Sequence, residues 1–138
     1  MIKHILVACD GSESADQAFA LALDLAGRYG ADLQVLAVAG PGEDEAETED
    51  ASVIESSQAA FRHVLEPLRE RAAAAGISAR FDVAIGSPAE QIVHWAEQRQ
   101  VELIVVGHPG RGLFSRLILG SVAKQVIDHA HCAVLVSR

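Results

Sequence analysis

The stretch that decides the fold opens as Ile2-Lys3-His4-Ile5-Leu6-Val7-Ala8-Cys9-Asp10-Gly11-Ser12 and closes as Leu33-Gln34-Val35-Leu36-Ala37-Val38. The first part is a short apolar run that stops at a turn signal, as a buried strand does. Between the two parts, Ala15, Ala18, Phe19, Ala22, Leu25, Ala26 and Tyr29 recur at spacings of three and four. That period lays one apolar stripe along a helix. Ser12 or Ser14 suits its N-cap, and Gly30 stands where a left-handed C-terminal cap belongs. A strand, a helix and a second strand in so few residues form a βαβ unit, which is parallel and right-handed.

The same alternation continues outward. Residues 39–52 carry Gly, Pro, Asp and Glu without an apolar period and read as an exposed loop. Phe61, Val64, Leu65, Leu68, Ala72 and Ala75 mark a second helix ending at Gly76, and Pro67 is expected to kink or restart it. Arg80 to Ile85 forms a third strand, beginning near Ile77. Ser87-Pro88-Ala89-Glu90 then signals a helix start, with Ser87 as N-cap, Pro88 in the first turn and Glu90 closing a capping box. Glu102 to Val106 is a fourth strand, whose run Leu103-Ile104-Val105-Val106 calls for burial on both faces. After a glycine-rich connection, Ser121 opens a last helix and Ala133-Val134-Leu135-Val136 makes a fifth strand. The expectation is an α/β domain spanning 1–138: one doubly wound, five-stranded parallel sheet with four helices, in strand order 3-2-1-4-5. That order puts the switch point between strands one and four, where ligands collect at the carboxyl ends.

The 138 residues fit one core, and half of them are apolar. The net charge of −8 argues against nucleic acid as the main partner. No apolar stretch approaches the roughly 20 residues of a membrane span. The amino-terminal residues show no signal-peptide pattern. Two cysteines, Cys9 and Cys132, make no disulfide framework and are expected reduced. Together these features predict a cytoplasmic protein without membrane insertion.

The chemistry concentrates in Gly107-His108-Pro109-Gly110-Arg111-Gly112-Leu113-Phe114-Ser115-Arg116-Leu117-Ile118-Leu119-Gly120-Ser121. It is no Walker A loop, since no Lys-Ser or Lys-Thr follows Gly112, and it lacks a GxGxxG. Its spacing is Gly, two residues, Gly, nine residues, Gly-Ser. Glycines let a backbone approach a phosphate and aim N–H groups at it. Gly120 and Ser121 stand at a helix start, where unpaired amides and the helix dipole favour anions. Arg111 or Arg116 could neutralise part of a triphosphate.

This spacing resembles the ATP-binding branch of the universal stress protein family. The likeness covers essentially the whole chain: Ile5 to Ser12 at the start, Gly86-Ser87-Pro88-Ala89 and Leu103 to Gly107 in the middle, Leu119 to Ala123 and Val134 to Val136 at the close. It implies a Rossmann-like fold of the adenine nucleotide alpha-hydrolase type and a small stress-response protein that binds ATP with Mg²⁺. The site it implies comprises Ala8, Cys9, Asp10, Val38, Val106, Gly107, His108, Gly110, Arg111, Gly120, Ser121 and Val122. In that likeness Asp10 meets the ribose or adenine end and Val38 offers main-chain groups to the adenine edge. Asp10 also reads as a cap or Asx-turn residue. Ala8 stands where some members have Pro, and His108-Pro109 replaces a commoner Ser-His or Arg-His pair. The resemblance further implies a homodimer through the fifth strand, an edge with few charges to blunt it.

Other residues carry less. His129, His131 and Cys132 cluster at a helix end, but no second ligand pair lies nearby, and a cation at a helix C-terminus explains them. His108 reads either as a phosphate contact or as a solvent-facing loop residue. Cys9 reads as a small buried apolar residue. No G-x-S-x-G elbow occurs and nothing resembles an efficient nucleotidase, so slow or absent hydrolysis is expected and no catalytic or metal-ligating residue is assigned. The competing readings are a nucleotide-free dimeric interaction module with an unidentified protein partner, a slow ATPase, and a binder of AMP or cyclic AMP.

Overall fold

A computed structural model describes residues 1–39, 51–108 and 119–138. The elements run β1 (His4–Ala8), α1 (Glu13–Tyr29), β2 (Asp32–Ala39), α2 (Ala51–Ala74), β3 (Ala79–Ile85), α3 (Pro88–Gln98), β4 (Leu103–Gly107), α4 (Ser121–His129) and β5 (Ala133–Ser137). The strands form one sheet in the order β3-β2-β1-β4-β5, and every pairing is parallel. The sequence-based order is therefore the observed one. Ile5, Leu6 and Val7 in β1 and Ile104 and Val105 in β4 are wholly buried. Such runs are what a sheet covered on both faces requires.

Strand alternation divides the interior into two cores. Ile5, Val7, Val35 and Val105 face one side and meet Phe19 and Ala22 of α1 and Leu65 and Leu68 of α2. Leu6, Leu36, Ile104 and Val106 face the other and meet Ile92 and Ala96 of α3 and Ala123 and Val126 of α4. Helices α1 and α4, which follow adjacent strands, thus lie on opposite faces. A crevice opens between them.

The local signals divide by how much tertiary packing overrides them. Ser12 caps α1, its Oγ accepting from the Ala15 N–H at 3.2 Å, and Gly30 adopts the left-handed cap at φ 64°. Ser87 is the N-cap of α3 and Pro88 stands in its first turn, but the Ser87 hydroxyl makes no cap hydrogen bond. The expected capping box is absent. The turn is instead held by the Gln91 N–H on the Ser87 carbonyl at 3.0 Å. Helix α2 does not restart at Pro67. Leu65 and Leu68, buried on either side of it, bind the helix to the sheet. Both Pro67 and His63, whose carbonyl loses its partner, lie on the exposed flank where water can serve that oxygen. Strand β2 gains a residue at each end, and β3 begins at Ala79 rather than Ile77.

Both thiols are free, Cys9 buried and Cys132 half-buried. Burial pushes the Cys9 thiol up to about 12, with the Asp10 and Asp16 carboxylates adding to the rise and Arg71 opposing it. Cys9 is therefore a protonated packing residue at neutral pH.

Gly107, at the end of β4, fixes how closely this strand approaches α1. A Cβ there would lie 2.6 Å from the Ser14 carbonyl oxygen and 2.8 Å from its carbon. These are backbone atoms at the start of α1 and cannot swing aside. Gly27, inside α1, differs: its Cβ would meet only the Ile77 Cδ1 at 3.3 Å. Gly107→Ala is expected to cost about 1–3 kcal/mol or more through overpacking. Gly27→Ala should be near neutral, since helix propensity favours Ala by roughly 0.8–1 kcal/mol and offsets the mild crowding. Thermal or urea unfolding compares them; a Gly107→Ala protein as stable as the parent would contradict this packing.

Candidate functional site

A cavity of about 290 Å³ lies at the carboxyl ends of β1, β2 and β4. Ala8, Cys9 and Asp10 enter it from the end of β1, Leu36 and Val38 from β2, and Val106 and Gly107 from β4. Three helices direct their amino ends at the same space. They contribute Ser12, Ser14 and Ala15 from the start of α1, Pro88 and Ile92 from α3, and Gly120 to Ala123 from α4. Its size is near the lower end of the range for small-molecule pockets, roughly 300–1,000 Å³. The walls are apolar toward the sheet, and the polar groups gather at the helix starts.

The turn after β1 is rigidly built. The Asp10 Oδ1 accepts from the Ser12 N–H at 2.9 Å, an Asx-turn, and Gly11 takes φ 86°, a conformation that favours glycine. The Ser12 hydroxyl caps α1 and lies 3.2 Å from that of Ser14. Asp10 is thus both a wall of the cavity and the residue that shapes its own turn.

The start of α4 is built differently. Gly120 is its N-cap at φ −61° and ψ 153°, with no capping side chain. The first intrahelical bond runs from the Lys124 N–H to the Gly120 carbonyl at 2.9 Å. The amides of Ser121, Val122 and Ala123 precede that bond, so the helix offers them no acceptor. All three residues line the cavity. The Gly120 backbone angles are open to any residue, so conformation does not explain a glycine there. With the positive ends of three helix dipoles, the crevice is locally suited to an anion despite the overall charge of −8.

Of the residues singled out from sequence, Ala8, Cys9, Asp10, Val38, Val106, Gly107, Gly120, Ser121 and Val122 lie together in the cavity wall. Gly110, Arg111 and Arg116 fall outside the described residues. His108 stands apart from this group: it is 6% exposed and, among the described residues, it does not line the cavity and its Nε2 has no hydrogen-bond partner. Its main chain extends the β4–β5 ladder, the N–H donating to the Ser137 carbonyl at 2.7 Å. That bond keeps the residue in the sheet rather than in a solvent-facing loop. Gly107 also has a different immediate reason for lacking a Cβ, namely the α1 backbone beside it.

The sequence reading missed Ser12, Ser14, Ala15, Pro88, Leu36, Ile92 and Ala123 as cavity residues. The last three carry the same apolar periodicity as any core residue, so only tertiary position distinguishes them. Ser14 offered a signal, since it lies in the first turn of the helix after Asp10. Among the described residues, no group of three or more His, Cys, Asp or Glu could hold a metal ion. His131 instead lies 3.4 Å from the Glu97 carboxylate. Among the described residues, no helix is long and apolar enough to cross a membrane.

The model of the universal stress protein family matches residues 1–138. Universal stress protein MJ0531 of Methanocaldococcus jannaschii is 32% identical over 143 residues, covering 99% of this chain and 82% of that protein. The structure of universal stress protein UspA from Lactobacillus plantarum is 30% identical with a TM-score of 0.83, covering 99% of this chain and 98% of that one. A universal stress protein solved in complex with cAMP is 26% identical with a TM-score of 0.76, covering 99% and 97%. The chain belongs to the universal stress protein family.

Proposed function

We propose that this protein is a small regulatory domain that binds ATP with Mg²⁺ in the crevice between β1 and β4, with slow or no hydrolysis. The observation that carries the proposal is the uncapped first turn of α4, open to a cavity at the switch point. A phosphate chain there accepts from the amides of Ser121 and Val122, and the Ser121 hydroxyl adds a further donor or reaches a metal-bound phosphate. The base and ribose lie toward Asp10 and Val38, against the apolar floor of Leu36 and Ile92. The absent Cβ at Gly120 leaves room for close approach. Among the described residues, Asp10 is the one carboxylate in the cavity wall, without a second to help activate water, and this supports binding and release over turnover. A structural neighbour in complex with cAMP favours one second reading, a monophosphate ligand in the same crevice.

Bound ligand raises the melting temperature by mass action, about 2.7 kcal/mol at a hundredfold excess over Kd. For a chain of this size that is roughly 5–10 °C. ATP with Mg²⁺ should give such a rise and Ser121→Glu should abolish it, because a carboxylate would occupy the anion position. A rise with cyclic AMP and none with ATP would favour the second reading. No rise with any adenine nucleotide would reject both.

The proposal includes a homodimer through β5. This strand pairs with β4 on one side only, and its Val134, Leu135 and Val136 are half-buried and uncharged. An apolar edge of that kind pairs with a second copy. Leu135→Lys and Val136→Lys should each elute as monomer from a sizing column while the parent elutes as dimer. Dimers persisting in both variants would contradict pairing at this edge.

A further inference from the structure

Ser14 lines the crevice, yet the nucleotide reading gives it no task. It stands in the first turn of α1, and its main chain is fixed against the end of β4. A Cβ on Gly107 would lie 2.6 Å from the Ser14 carbonyl oxygen, so strand and helix start meet backbone to backbone. Gly107 lines the same cavity and ends the strand that α4 follows. Ser14 is thereby held at a set position on the wall that α1 contributes.

The hydrogen bonds of this turn leave donors over. The Ser12 Oγ accepts from the Ala15 N–H at 3.2 Å and lies 3.2 Å from the Ser14 Oγ. A hydroxyl carries one proton, so the pair has two and the bond between them uses one. Whichever serine donates, one O–H is left to give to a ligand, and both residues line the cavity. The main chain adds another donor. The first intrahelical bond of α1 runs from the Asp16 N–H to the Ser12 carbonyl at 3.0 Å, so the helix offers the Ser14 N–H no acceptor.

These donors matter because, among the described residues, no lysine or arginine lines the cavity. A bound phosphate there is met by neutral N–H and O–H groups and by helix dipoles alone. A single phosphate is served by the Ser121 and Val122 amides at the α4 start. A chain of phosphates brings more acceptor oxygens than that turn can serve. The start of α1 enters the same cavity from the other face of the sheet and holds the donors still unused.

We propose that Ser14 is the residue by which this crevice tells a nucleoside triphosphate from a nucleoside monophosphate. The inference rests on the nucleotide reading above and assigns the two helix starts to different phosphates. The α4 start holds the phosphate nearest the ribose, and the Ser14 N–H and hydroxyl hold the terminal one. A monophosphate is satisfied at α4 and does not reach α1.

Isothermal titration of the full chain with ATP and Mg²⁺, and separately with AMP, tests this on the parent, Ser14→Ala and Ser14→Thr. Losing a hydrogen bond to a charged group should weaken ATP binding roughly tenfold in Ser14→Ala and leave AMP binding within about twofold of the parent. Ser14→Thr keeps the hydroxyl and should keep the parent's preference. The α1 cap belongs to Ser12 and is retained, so Ser14→Ala should melt with the parent. Phosphorus NMR of bound ATP should show the terminal-phosphate resonance moving between parent and Ser14→Ala while that of the phosphate on the ribose stays. Equal weakening toward ATP and AMP would put Ser14 at the ribose and overturn the assignment. ATP binding in Ser14→Ala at the parent's affinity would overturn it too, as would a parent that binds AMP and not ATP. A parent that binds neither rejects the nucleotide reading and this inference with it.

Discussion

The crevice exists because β1 and β4 lie side by side and send their following helices to opposite faces of the sheet. No helix can then cover the carboxyl ends of this pair, so an opening is forced by topology. How wide it is depends on one contact: the end of β4 against the first turn of α1, where Gly107 meets the Ser14 main chain without room for a Cβ. That approach brings the amino ends of α1 and α4 to a single cavity. The remaining features of the site are consequences of those two facts.

Electrostatics there are local, which reconciles an acidic protein with the proposed anionic ligand. The net charge of −8 governs long-range encounter, whereas amides at a helix start act within hydrogen-bond distance.

Much of the fold was legible because the apolar periods were unambiguous. Ala15 to Tyr29 could only be one amphipathic helix, and Leu103 to Val106 could only be a strand covered on both faces. The switch point followed from the strand order, and with it most of the wall of the crevice. What escaped was set by packing rather than by pattern. Pro67 carries a local breaking signal, but buried leucines on either side hold α2 to the sheet. Ser87 has a capping sequence and no cap bond. His108 follows a strand whose ladder continues one residue further than the apolar run, so a residue with loop-like neighbours is buried.

The central claim is that the first-turn amides of α4 hold the phosphates of an adenine nucleotide. Amide hydrogen exchange at Ser121, Val122 and Ala123, measured with and without ATP and Mg²⁺, tests it at the atoms concerned. Strong slowing at these three amides, well beyond that in the distant α2, is the predicted result. Exchange there that is unaltered by saturating nucleotide would contradict the account.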